Sequence, residues 1–164
     1  MNSSSSQCRQ NNLSSVKKLV IKVGTSTITH ASGKLNLEQI DALVMQIANL
    51  HNKGIDVVLV SSGAIAAGLG KLGLNKLDLS LSEKQAMAAI GQNILIHMYN
   101  KMFSEHGINI GQILLTKEDF ESMNRCKLCQ DTFNSLSRFR VIPIVNENDA
   151  VAVEEIKVGD NDTL

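Results

Sequence analysis

Residues 141–164, VIPIVNENDAVAVEEIKVGDNDTL, join an apolar run to two clusters of carboxylates and amides. The first five residues are rich in Val and Ile, as a buried strand requires. Asn146-Glu147-Asn148-Asp149 follows at the C-terminal end of that strand, and Asp160-Asn161-Asp162 returns after a short charged connection. In an open α/β sheet, ligands bind just outside the carboxyl ends of the strands. Asp149 there could pair with an ammonium group, while Asn146 and Asn161 can donate to carboxylate oxygens. The set fits a substrate that carries an amine and carboxylates. Two polar turns with ordinary caps would share the same composition, so other stretches must decide between the two.

Two upstream stretches place further chemistry at strand ends. Lys22-Val23-Gly24-Thr25-Ser26 sets a cation before a glycine at the exit of an apolar run. Glycine there lets backbone N–H groups approach a phosphate, Thr25 and Ser26 add hydroxyls, and Lys22 supplies a point charge. Phosphoryl transfer needs mostly that, positioning and charge neutralisation. The plainer alternative is a surface lysine before a tight turn. Ser61-Ser62-Gly63-Ala64 likewise leads from a strand into a small-residue helix, whose N-terminus can hold an anion through free N–H groups and the dipole. On the plain reading, Ser61 or Ser62 is only a cap.

Other motifs carry less. Gly68-Leu69-Gly70-Lys71-Leu72-Gly73 fits GxGxxG. It does not follow a strand directly, and no acidic residue closes a second strand about twenty positions on, as a dinucleotide site requires. Gly63 to Gly68 has half of a P-loop spacing, but Leu69-Gly70 stands where Lys-Ser/Thr is needed. Cys126 and Cys129 have metal-ligand spacing inside a helical pattern, without the second ligand pair that tetrahedral zinc needs. The four histidines, His30, His51, His97 and His106, are scattered. No dedicated protein metal site is expected.

These residues must be held by a core, and the composition allows one. The 164 residues suffice for one domain. Net charge is zero, no basic block occurs, and Tyr99 is the single Tyr in a chain without Trp. That argues against nucleic acid or an anionic membrane as partner. No apolar run reaches transmembrane length. Three cysteines suit a reducing cytoplasm better than a disulfide scaffold. Residues 1–15, rich in Ser, Asn and Gln, read as a disordered tail without the apolar core of a signal peptide.

From residue 17 the chain alternates between strand and helix patterns. Strands are expected at 17–23, 55–60, 108–115 and 141–145. Helices are expected at 36–53 with an Asn36/Gln39 capping box, at 64–73, from a Ser82 cap to about 106, and from Thr116 to about 139. That alternation predicts a mostly parallel sheet flanked by helices on both faces, an αβα sandwich with right-handed crossovers. Strand 141–145 is expected to be left as an exposed sheet edge, a surface prone to self-association. Asp162-Thr163-Leu164 reads as the opening of another helix.

NENDAVA with EIKVGDND, VIKVGTSTIT at 20–29 and VSSGAIAAG at 60–68 occur together in one order. In this combination the chain, from about residue 17 to 164, resembles the glutamate 5-kinases within the amino-acid kinase family. The resemblance implies transfer of the γ-phosphoryl group of ATP to the γ-carboxylate of L-glutamate, the first step of proline biosynthesis. It implies Mg²⁺ carried by the nucleotide, proline as feedback inhibitor, and a homo-oligomer for the full-length enzyme. By the same resemblance Lys22 contacts nucleotide phosphate and stabilises the transition state, together with Gly24, Thr25 and Ser26. Ser62, Gly63, Ala64, Asn146, Asp149 and Asn161 bind the substrate. Asp162 orients the catalytic lysines, and Asp160 is a neighbouring active-site acid. It further implies that residues 16–164 form the substrate lobe, without the second, nucleotide-binding lobe, so that this chain alone would be inactive. The rivals are an acetylglutamate or aspartate kinase, or a non-catalytic module that holds glutamate or proline.

Overall fold

The computed structural model describes residues 15–30, 32–74 and 79–152. The tail up to residue 14, the cluster Asp160-Asn161-Asp162 and the expected final helix start lie outside the described residues.

The described chain forms four six-residue strands, β1 (Lys18–Val23), β2 (Asp56–Ser61), β3 (Ile110–Leu115) and β4 (Ile142–Glu147). All pairings are parallel, in the order β1-β2-β4-β3. The helices are α1 (Thr25–Ile28), α2 (Leu37–Asn52), α3 (Ala64–Leu72), α4 (Leu81–Glu105), α5 (Lys117–Glu121) and α6 (Met123–Arg138). α1, a single turn after β1, was not expected from the sequence.

Period-two alternation along the strands divides the apolar side chains between two faces. Val57 and Leu59 of β2 and Ile142 and Ile144 of β4 join the main core, with Ile40, Val44 and Ile47 of α2 and Leu95, Tyr99 and Phe103 of α4. Val60 of β2 and Val145 of β4 point the other way, into a smaller cluster with Leu115, Cys129 and Phe133. Helices therefore cover both faces, as expected. Cys129 of the CxxC pair is part of this apolar packing, and burial pushes its thiol pKa up, with Asp119 adding to the effect.

Three expectations change. The long helix α4 is capped by Ser80, not Ser82: Ser80 and Glu83 form a capping box, with the Ser80 N–H donating to Glu83 Oε2 at 2.8 Å. The helical stretch after β3 is two helices, because Ser122 takes an extended conformation (φ −96°, ψ 115°) that ends α5 and caps α6. β4 is not an edge: it lies between β2 and β3, and all six of its residues are buried. The edges of the described sheet are β1 and β3.

The GxGxxG stretch has a packing origin. A Cβ at Gly68 would stand 2.1 Å from the Met87 carbonyl oxygen, and one at Gly91 would stand 1.7 Å from that of Ala64. The backbones of α3 and α4 are thus in direct contact, a separation only glycine permits. A Cβ at Gly70 would stand 2.7 Å from the Gly33 carbonyl oxygen.

Candidate functional site

The motifs at Lys22–Ser26, Ser61–Ala64 and Asn146–Asp149 lie at the carboxyl end of the parallel sheet. Lys22 and Val23 of β1 pair in register with Val60 and Ser61 of β2, and the Ser62 N–H donates to the Val23 carbonyl at 3.0 Å. The Asn148 N–H donates to the Leu115 carbonyl at 2.8 Å, which fastens the loop after β4 to the end of β3. Parallel strands in register bring their exits to one edge, and the motifs that begin at Lys22, Ser61 and Asn146 reach it for that reason.

A cleft of about 330 Å³ opens at this edge. Ala64 at the start of α3, Gln92 and Asn93 of α4, Gln112 of β3, and Glu147 and Asp149 line it. It offers the Asp149 carboxylate and several amides, beside the N-terminus of a nine-residue helix. Glu147 is in register with Leu115 of the α6-side cluster and is itself only 5 % exposed, so its side chain belongs to the other face. Gly63, which caps that helix, has φ 98°, and a Cβ there would also press on Ile28 Cδ1 at 3.1 Å. The turn from β2 into α3 therefore demands glycine on both counts.

Two hydrogen bonds from α4 fix the strand ends. Tyr99, 1 % exposed, shares a 2.9 Å hydrogen bond with Ser61 Oγ at the end of β2. Burial pushes the Tyr99 pKa up, against the opposing effect of that bond, so the phenol stays protonated. Gln92 Oε1 accepts from Asn146 Nδ2 at 2.7 Å at the end of β4. Gln92 and Tyr99 are seven residues apart, two helical turns, so they lie on one face of α4. Gln85 Nε2 adds a 3.4 Å bond to the Ala152 carbonyl beyond the loop.

Ala64 and Asp149 of the expected substrate site line the cleft together, and Ser62 and Gly63 lead directly into Ala64. Asn146 is only 2 % exposed and sits beneath the cleft, bonded to Gln92. Lys22 is exposed at the same end of the sheet. Its register partner Val60 belongs to the face covered by α6, so Lys22 projects from that face, away from α4. Gly24 has φ −80°, and a Cβ there would meet nothing within 4 Å. Neither backbone conformation nor packing within the protein calls for glycine at 24. The open space at Gly24, beside exposed Thr25 and Ser26, fits the close approach of a phosphate. The sequence alone did not point to Gln92 or Tyr99. Only the i, i+7 spacing of Gln92 and Tyr99 on a capped helix hinted at a shared face.

A second cleft of about 310 Å³ lies on the α6 side, lined mostly by apolar residues such as Val20, Val58 and Phe133. Its polar lining, Lys18, His51, Asp56, Asn134, Ser137 and Arg140, includes a single carboxylate and a single amide. No helix among the described residues is long and apolar enough to cross a membrane, and no three His, Cys, Asp or Glu side chains among them cluster as metal ligands would.

A parallel αβα sheet with a polar cleft at its strand ends defines an α/β protein of the class whose small-ligand sites lie at that edge. More specifically, the chain belongs to the amino acid kinase family, whose model matches residues 17–164. It is 59% identical over 156 residues to glutamate 5-kinase of Clostridium tetani, an alignment that covers 95% of this chain and 58% of that protein. It is 58% identical to the glutamate 5-kinase of Clostridium acetobutylicum, with the same coverage. The chain thus spans little more than half the length of these curated relatives. Among solved structures, the UMP kinase of Ureaplasma parvum superposes with a TM-score of 0.51 at 15% identity, covering 79% of this chain and 55% of that one. At that identity the likeness concerns the fold.

Proposed function

We propose that this chain is the amino-acid-binding part of a glutamate 5-kinase, which transfers the γ-phosphoryl group of ATP to the γ-carboxylate of L-glutamate. The product is L-glutamyl 5-phosphate, and the step opens proline biosynthesis. The observation that carries the reading is the 59% identity to a glutamate 5-kinase across 95% of the chain. The cleft supports it chemically: Asp149 suits the ammonium of an amino acid, and the neighbouring amides suit its carboxylates.

In this reading Ser62, Gly63, Ala64, Asn146, Asp149 and Asn161 form the substrate site, with Asn146 acting through the residue it holds. Lys22, Gly24, Thr25 and Ser26 take the nucleotide phosphates, and Mg²⁺ arrives with the nucleotide. Lys22 places positive charge where the phosphoryl oxygens gather negative charge in the transition state. Asp160 and Asp162 act as the acids that orient the catalytic cations. L-Proline competes at or near the same cleft, the longer enzyme self-associates, and the setting is the cytoplasm.

Calorimetric titration of the purified chain with L-glutamate, L-aspartate and N-acetyl-L-glutamate tests the substrate assignment. L-Glutamate is expected to bind with the highest affinity. Preference for either of the others would move the chain to a different branch of the family.

A further inference from the structure

The hydrogen bonds beneath the cleft fix the orientation of two side-chain amides without ambiguity. A backbone N–H can only donate, and the Glu147 N–H lies 2.9 Å from one end of the Asn146 amide. That end must be Oδ1, so the other end, Nδ2, faces Gln92 at 2.7 Å as a donor. Gln92 must then present Oε1 to Asn146. Its remaining polar atom, Nε2, is the end left for the cleft that Gln92 lines, and it makes no hydrogen bond among the described residues. Asn146 is buried and pinned at both ends of its amide, so it holds Gln92 in this sense.

We propose that Gln92 is a specificity-determining residue: its Nε2 donates a hydrogen bond to a carboxylate of the amino-acid ligand, and Asn146 is the positioning residue that keeps the donor end turned to the cleft. The inference rests on the reading of this cleft as the L-glutamate site. The Asp149 carboxylate at the cleft repels carboxylates and attracts the ammonium. The amide donor on α4 supplies the complementary half, and the pair orients an α-amino acid across the opening.

The test uses the ¹⁵N-labelled 164-residue chain titrated with L-glutamate, with L-glutamine as second ligand. Gln92→Glu keeps an acceptor for Asn146 Nδ2 but turns the cleft-facing donor into a carboxylate oxygen. The Asn146 side-chain amide resonances are expected to stay near their wild-type positions. The Kd for L-glutamate is expected to rise about 10- to 100-fold, the range for losing a hydrogen bond to a charged group. A Gln92→Met chain, which lacks the donor without adding charge, should also lose affinity, and it serves if Gln92→Glu does not fold. A penalty confined to L-glutamate assigns the donor to the γ-carboxylate, and an equal penalty for both ligands assigns it to the α-carboxylate. Wild-type chain that binds L-glutamate together with a folded Gln92 variant that binds it within twofold of wild type overturns the inference alone. Wild-type chain whose resonances do not respond to L-glutamate overturns the reading of the cleft, and this inference with it.

Discussion

Gly91→Ala tests the contact on which the cleft depends. The added Cβ would stand 1.7 Å from the Ala64 carbonyl oxygen, and also 2.7 Å from the Gly68 nitrogen. Both are backbone atoms, so no side chain can swing aside. Relief requires α3 and α4 to part by at least about 1.3 Å, the gap between 1.7 Å and the 3.0 Å that Cβ contacts respect. Overpacking of this kind costs typically 1–3 kcal/mol, and a backbone clash belongs near the top, about 3 kcal/mol. Alanine in place of glycine inside a helix returns about 1 kcal/mol. The net is a destabilisation of about 2 kcal/mol, or roughly 4–8 °C in Tm for a chain of this size. Ala64 lines the cleft, so the same displacement should raise the Kd for L-glutamate. Gly24→Ala is the internal control, since a Cβ there meets nothing. Thermal unfolding by circular dichroism, with calorimetric titration of L-glutamate, reads both quantities. If Gly91→Ala melts within about 2 °C of wild type and binds equally well, α3 and α4 are not in rigid contact and the packing argument fails.

Other expectations follow from the same geometry. Tyr99→Phe removes a buried hydrogen bond to Ser61 and should cost about 1 kcal/mol, measured by urea denaturation. An unchanged midpoint would mean that Ser61 is held without Tyr99. Asp149→Asn should raise the KM for glutamate in a full-length enzyme far more than it lowers kcat, while Lys22→Ala should do the reverse. Near-normal turnover for Lys22→Ala would remove that residue from the mechanism. The 164-residue chain alone is expected to bind L-glutamate without phosphorylating it. An ATP- and glutamate-dependent hydroxamate signal that disappears with Lys22→Ala would show otherwise. His51 has its pKa lowered by burial and then by Arg140, so the folded state favours the neutral ring. Its contribution to stability is therefore full above the ordinary histidine value of 6.5 and is lost as pH falls below that through the lower folded value. His51→Gln should flatten the pH dependence of urea unfolding in that window, and an unaltered slope would locate the acid sensitivity elsewhere.

Sequence alone determined the elements and the edge at which chemistry gathers. The apolar runs at residues 55–60 and 141–145, the stripe Ile40, Val44 and Ile47, and the glycines after the first two strands are local signals, written in the spacing of neighbouring residues. They are enough for a parallel αβα sheet with Lys22, Ser62 and Asp149 at strand exits. Strand order was not local: nothing in residues 141–147 says that they insert between β2 and β3, and the expectation of an exposed edge there was wrong. Helix ends were legible only to within a residue or two, because Ser80 and Ser82 are equally good caps until Glu83 reaches back to one of them. The site divides in the same way. Residue types pointed to carboxylates and amides, but which amide faces the ligand depended on a chain of donors and acceptors from Glu147 through Asn146 to Gln92, spanning two elements 54 residues apart. Likewise Gly68 and Gly70 spelled a nucleotide motif in the sequence and became packing contacts in the fold, Gly68 against the next helix and Gly70 against the connection at Gly33, because a glycine's role is set by what lies against it. Only packing in three dimensions supplies that neighbour.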